Sequence, residues 1–393
     1  VSKWKSVLLS ECCEIVSGAT PSTTVAAFWG GDICWATPKD LSDLDGSHLI
    51  SDTPRKLTDE GLANCAATVL PVNSVLFSSR APIGHVAINT VPMATNQGFK
   101  SFVPRKDTID SKFLFHWLKA NRVFLESLGN GATFKEVSKA TVARIAISLP
   151  SLAEQRRIAA ILDKADALRT KRRLALAILE GLSRSLFLDI FGDPATNPKR
   201  WPMRTIGDLL SSVSYGTSEK ASEKGQFAVL RMNNITKKGA IDLTDLKYMD
   251  LDENLQDRYL VQAGDVLFNR TNSRDLVGKT GIFRENTRMA YAGYLIRLRT
   301  NSDNDPEYIS AFLNSTYSKN VLRGMCKSII GMANINATEV QGIAIAQPPL
   351  LLQREFSKRI GALIRNQDTH KRALRDLDSL FTSLQHRAFT GTL

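Results

Sequence analysis

Two stretches of this sequence concentrate side chains suited to binding. Residues 80–106 hold four Lys/Arg and no acid, following seven acids against three bases in 32–60. Residues 258–299 hold eight Lys/Arg (Arg258, Arg270, Arg274, Lys279, Arg284, Arg288, Arg297 and Arg299) against three acids, following six acids against one lysine in 242–257. In or beside the first stretch stand Ser79, Arg80, Asn96, Gln97 and Lys100. The second carries Asn269, Arg270, Asn272, Arg274, Lys279 and Tyr291. Guanidinium and carboxamide groups can form paired hydrogen bonds with planar targets, while ammonium and hydroxyl groups hold anions at a point. Each stretch therefore predicts an acidic flank and a basic face.

Reaction chemistry finds no comparable footing. Val277-Gly278-Lys279-Thr280 ends like a phosphate loop, but Ser273 stands where that motif needs its first glycine. The sequence has neither the glycine-rich strand–turn–helix nor the acidic-Pro-Pro-aromatic loop of a methyltransferase. No cluster of carboxylates with a lysine recurs, and no Ser/His/Asp set falls in motif context. The five cysteines, Cys12 and Cys13 adjacent among them, lack C-x-x-C spacing and nearby histidines. We expect a non-catalytic chain with no metal and no cofactor.

The 393 residues exceed what one compact core usually serves, so two domains are expected. The 51 Lys+Arg against 39 Asp+Glu give a net charge of +12, distributed as +2, +3, +3 and +4 over 1–150, 151–191, 192–349 and 350–393. That even spread excludes a basic tail. No apolar run approaches the ~18–20 residues of a membrane span. The first residues lack a signal-peptide core. A reducing cytoplasm and no membrane partner are the expectation.

The chain repeats itself. Trp4, Val16-Ser17 and Thr20 fall on Trp201, Val213-Ser214 and Thr217 at an offset of 197. Val75-Leu76-Phe77 falls on Val266-Leu267-Phe268, and Pro150, Leu152, Gln155 and Arg156 fall on Pro348, Leu350, Gln353 and Arg354. Each copy opens with a mixed α+β part: short β-branched runs, Gly/Pro/Asn turns and, in the first copy, one good helix around 111–128. Each copy closes with a heptad seam after a proline. The first seam is Ile158, Ile161, Ala165, Leu168, Arg172, Ala175, Leu179, Leu182 and Leu186. The second runs through Phe356, Ile360, Leu363, Gln367, His370, Leu374, Leu377, Phe381, Leu384 and Ala388. The two helices are expected to pair as an antiparallel coiled coil with pseudo-twofold symmetry. Arg172 would then face Gln367 and His370, either as partly solvated positions or as a buried polar layer that sets register.

The order of globular unit, Pro-started helix with Gln-Arg, and the same again resembles the specificity subunit of type I restriction-modification systems. The residues that carry the resemblance are Trp4 and Leu9, Val75-Leu76-Phe77 with Arg80 and Gly84, Asn96-Gln97-Gly98, the two P-x-L-x-x-Q-R runs, and Phe191-Gly192-Asp193-Pro194 with Trp201-Pro202. It covers essentially the whole chain. The second copy departs from the pattern, with Ala292-Gly293-Tyr294 where the first has Gln97-Gly98-Phe99 and a longer loop before Gly278.

The resemblance implies target recognition domains at 1–150 and 192–349, with spacer helices at 151–191 and 350–393. It implies a subunit that recognises a bipartite site on double-stranded DNA. That subunit would direct two methyltransferase subunits and the restriction/translocase subunits there. Helices of about 35 residues span ~50 Å, the scale of half-sites ~34–36 Å apart. The arginines, asparagines and glutamines named above are then the expected base readers, and Lys and Ser the phosphate contacts. Arg80 recurs in the family's pattern, so it is either structural or phosphate-bound. A coiled-coil scaffold joining two protein-binding domains is the alternative; it leaves the basic faces unexplained. Replacing Arg172, Gln367 and His370 together with leucine tests the register. A polar layer predicts a mixture of oligomers by light scattering, whereas solvated positions leave one species.

Overall fold

The computed structural model describes residues 4–44, 46–80, 82–131, 135–273, 276–329 and 332–393. It divides into two units, Val1–Leu174 with Lys371–Leu393, and Ala175–His370. The central sheet of the first unit orders its strands as Cys13–Ser17, Lys100–Pro104, Val75–Phe77, Val86–Asn89 and Leu49–Ile50. That of the second orders Leu210–Tyr215, Leu295–Thr300, Val266–Asn269 and Thr280–Ile282. Four strands correspond one for one, so the repeat in sequence is a repeat of one sheet.

The smaller sheets repeat as well. Trp29–Ala36 lies parallel to Met93–Thr95 in the first unit, as Phe227–Leu230 does to Met289–Tyr291 in the second. Lys5–Leu8 pairs with Ala146–Leu149, and Met203–Thr205 with Ala344–Ala346. Continuous apolar runs mark strands covered on both faces. Val75 and Phe77 face one core and Leu76 another; Val266, Phe268 and Leu267 divide in the same way.

A helix crosses behind each central sheet. Asp110 caps Ser111–Ala120 by accepting from the amides of Lys112 and Phe113, and Asp305 caps Pro306–Leu313 by accepting from that of Glu307. Both caps are fixed by the repeated glutamine. Gln155 Oε1 accepts from the Asp110 amide at 2.9 Å, while its Nε2 donates to the carbonyls of Thr108 and Pro150. Gln353 Oε1 accepts from the Asp305 amide at 2.8 Å, while its Nε2 donates to Pro348 O and Asn304 Oδ1. Both glutamines are buried.

The glutamines sit in the first turns of two long helices, Leu152–Phe191 and Leu350–Thr390. The helices pack antiparallel within each unit. In the first, Arg157 donates to the Leu393 carbonyl and Arg169 pairs with Asp378 at 2.6 Å, so one chain rises as the other falls. In the second, Gln367 donates to the Leu179 carbonyl, and Phe187 and Phe191 close on Phe356. The fold is α+β, with two tandem units and two long helices.

The seam differs from the expected one on the first helix. Leu168 and Leu182 are exposed, while Leu162, Phe187 and Phe191 are buried. The reason is that this helix serves two partners. Ile158, Ala159 and Leu162 complete the core of the first globular part, while Phe187 stacks on Tyr308 of the second and Phe191 meets the same ring edge-on. Heptad counting assumes one partner. Arg172, Gln367 and His370 are each half-buried.

An ionic ladder joins the capped helix of the first unit to the long helices. Buried His116 lies 2.7 Å from Asp163 through Nε2, and Lys112 reaches the other Asp163 oxygen at 2.7 Å. Lys119, Asp166, Arg169 and Asp378 continue it. Burial would raise the Asp163 carboxyl, but the hydrogen bonds from His116 and Lys112 outweigh it and hold its pKa at about 2.

A carboxyl lowered on folding contributes stability above its ordinary value of 3.8, and that contribution is lost as pH falls through about 2. Asp163→Asn should therefore cost about 2 kcal/mol in urea unfolding at pH 6. The gap to the unsubstituted chain should close between pH 4 and 2. Gln353→Ala should cost on the order of 3 kcal/mol in the same measurement, because it strands a buried amide and two acceptors.

Candidate nucleic-acid interface

In the first unit the candidate side chains meet where strand Val75–Phe77 runs out. The next residue, Ser78, turns the chain: its Oγ donates to the Pro82 carbonyl and accepts from the His85 amide. Gly84, at φ +93°, closes the turn through its amide on the Ser78 carbonyl. The Ser79 amide donates to Gly98, and the Ser79 carbonyl accepts from Val137. The 95–100 turn and the residues Glu136 and Val137 therefore flank it. Asn96 Oδ1 accepts from the Gly98 amide, Lys100 pairs with Glu136 at 3.1 Å, and Arg80 bridges Glu136 through its backbone. These contacts bring Ser79, Arg80, Asn96, Gln97 and Lys100 to one rim. Gln97 is exposed, Arg80 and Asn96 are half-buried, and Ser79 and Lys100 are buried.

The second unit builds its rim on the same bonds. The Gly278 amide (φ +76°) donates to the Asn269 carbonyl, and the Asn269 amide donates to Lys279. Arg270 donates from its amide to Tyr294 and accepts at its carbonyl from Ile335. Thr271–Asn272 pairs with Ala333 and Asn334. Gly18 and Gly216 make the same close approach: a Cβ would strike the carbonyls of Thr95 and Asn96 in one unit, and of Tyr291 and Ala292 in the other.

Several expected readers are held internally. Lys279 is buried and donates to the carbonyls of Met232 at 2.8 Å and Ile235 at 2.5 Å; burial, with Lys237 nearby, pulls its pKa down. Tyr291 is wholly buried against Ser214, and its phenol is pushed up by that burial. Asn272 is half-buried and accepts from the Ser273 amide. Arg274 lies outside the described residues. The basic face also disperses: Arg284 pairs with Glu307, Arg288 with Asp257 and Arg299 with Asp265, and Arg297 donates to the Leu260 carbonyl. Arg270 remains at the rim, half-exposed.

The sequence reading missed the loop at 18–24. Two indoles pin it: Trp35 donates to Ala19 and Trp29 to Ser22, with the Arg55 guanidinium 3.7 Å over the Trp29 ring. Thr20 in this loop donates to Gln97. Two tryptophans six apart in an extended stretch share one face, and that spacing was the available signal. Tyr215 and Tyr294 were missed as well. The rims offer hydrogen-bonding edges on a rigid sheet. Among the described residues no group of three or more His, Cys, Asp or Glu is placed to hold a metal, and no helix is long and apolar enough to cross a membrane.

A module that presents polar loops from a sheet joined to a long helix, and that occurs twice, defines a tandem-repeat α+β protein. The chain belongs to the type I restriction modification DNA specificity domain family, whose profile matches residues 1–177 and again 198–377. The MjaIX specificity subunit of Methanocaldococcus jannaschii is 32% identical over 262 residues, 62% of this chain and 60% of that protein. This chain thus matches less than two thirds of that relative's length. The EcoKI specificity subunit of Escherichia coli K12 is 26% identical over 80% of this chain and 73% of its own. Among solved structures, the type I restriction-modification S subunit from M. genitalium superposes with a TM-score of 0.59 at 15% identity, covering 99% of this chain and 96% of that one. A chain from a type I system studied for complex assembly and conformational transition also gives 0.59, at 18% identity, covering 99% and 98%. These two likenesses establish the fold.

Proposed function

We propose that this chain is the non-catalytic subunit that reads a bipartite site on double-stranded DNA for a type I restriction-modification complex. Residues 1–150 read one half and residues 192–349 the other. The helices at 151–191 and 350–393 set the spacing and carry the docking surfaces. Two methyltransferase subunits and the restriction/translocase subunits join it on cytoplasmic DNA and supply all cofactor-dependent chemistry. The observation that carries this reading is that two rims share one hydrogen-bond framework yet differ in their side chains. Such a pair suits two related half-sites of different sequence. Three or four bases per rim, each worth ~1–3 kcal/mol, are enough for specific binding. Ile178, Leu182 and Leu188 stand exposed on the first long helix, beside a groove lined by Leu186, Ala362 and Leu363. That apolar surface favours a protein partner.

The test is co-expression with a type I methyltransferase subunit, followed by sequencing of methylated adenines. Methylation should fall on a two-part motif. Exchanging residues 1–150 for those of a relative with another motif should change one half alone. A change in both halves, or no methylation with the unsubstituted chain, contradicts the proposal.

A further inference from the structure

Because the two rims share a framework, the positions bonded into it on one have counterparts on the other. Ser79 and Arg270 are such a pair. Each donates its amide to a carbonyl on the facing turn, that of Gly98 or Tyr294, and each accepts at its own carbonyl from a flanking amide, that of Val137 or Ile335. The two side chains behave differently. Ser79 is wholly buried and donates its hydroxyl to the Gly98 carbonyl at 3.2 Å, so it offers nothing outward. Arg270 lays its guanidinium over the Tyr215 ring at 4.8 Å. That ring is itself fixed, because its hydroxyl accepts the Ala337 amide at 2.8 Å.

The Arg270 guanidinium has no carboxylate or carbonyl partner among the described residues, and its Nε is buried without one. This sets it apart from Arg284, Arg288, Arg297 and Arg299, each held by an acid or a carbonyl. A guanidinium stacked on an immobilised ring loses little further freedom on binding, and it keeps a planar fork of donors for a planar pair of acceptors. In the major groove the O6 and N7 of guanine are that pair.

Resting on the reading of this chain as a DNA-recognition subunit, we infer that Arg270, stacked on Tyr215, selects a guanine in the half-site read by residues 192–349, and that its counterpart Ser79 makes no base contact in the other half. The position is thus a specificity switch on a shared framework. A phosphate contact by Arg270 is the competing outcome, and the two separate cleanly. An ammonium satisfies a phosphate as a point charge but does not reproduce the fork.

The experiment uses the full chain with its methyltransferase subunit and maps methylated adenines for Arg270→Lys and Tyr215→Leu. The exchange of residues 1–150 has by then assigned the halves. The expected result is a loss of about tenfold or more in discrimination at one G·C pair of the half read by residues 192–349. The other half should be unchanged, and Ser79→Ala should leave both motifs intact. An unaltered motif with methylation lowered evenly at all sites would overturn the inference in favour of phosphate or scaffold. Relaxation in the other half would overturn it too. If the unsubstituted chain directs no two-part methylation, the underlying reading fails before any variant is made, so the two failures are distinguishable.

Discussion

The arrangement of each unit depends on one buried carboxamide. Gln155 and Gln353 each use both ends of the side chain: the oxygen takes the amide of the residue that caps a helix, and the nitrogen returns to the carbonyl of the proline before its own helix. A carboxamide carries its acceptor and its two donors at separate ends without a charge, so one side chain can do both. Through this bond the start of a long helix is fixed to the start of the short helix that crosses behind the central sheet. The rim at the end of the sheet is therefore held at a set angle to the helix in each unit. Loss of one partner would leave buried polar groups without water or protein to satisfy them, and that cost makes the junction stiff.

A stiff junction explains why the rims can vary. Strands Val75–Phe77 and Val266–Asn269 are anchored by apolar residues on both faces, and glycines at positive φ close the turns that follow. The loop after Asn269 is longer than that after Ser78, yet the flanking backbone bonds are the same. Side chains on such loops contribute little to the core, so they can be exchanged without dissolving the framework. The second rim carries some cost of its own: both polar atoms of the wholly buried Asn269 carboxamide lack partners among the described residues. Its counterpart Ser78 is fully engaged.

Much of this was legible in sequence because duplication leaves a pattern that single elements do not. The drift in offset from Trp4/Trp201 to Gln155/Gln353 located loops of unequal length, and Val75-Leu76-Phe77 over Val266-Leu267-Phe268 located the strand beneath each rim. Charge was the poorer guide. Arg297 and Arg299 were counted towards a basic face in the run Leu295–Thr300. That strand is central, between Leu210–Tyr215 and Val266–Asn269, and both arginines are turned inward, onto Asp265 and the Leu260 carbonyl. Counting bases reports how many arginines a segment holds and nothing of which face is covered. The long helix misled for a related reason, since Leu162 and Phe187 answer to globular cores that a heptad pattern does not contain.

The same distinction bears on which residues carry recognition. A residue that makes all its hydrogen bonds inside the fold has a structural use whatever its chemistry, and Lys279, Tyr291 and Lys100 are of that kind. A residue that is oriented but unsatisfied has been given a geometry without a partner. Among the described residues Arg270 meets that description in the second rim; in the first, exposed Gln97 comes nearest, held by Thr20 on a loop pinned by two indoles. One rim therefore offers a stacked guanidinium and the other a braced carboxamide. These are groups with opposite preferences between guanine and adenine, presented from a framework that is otherwise the same.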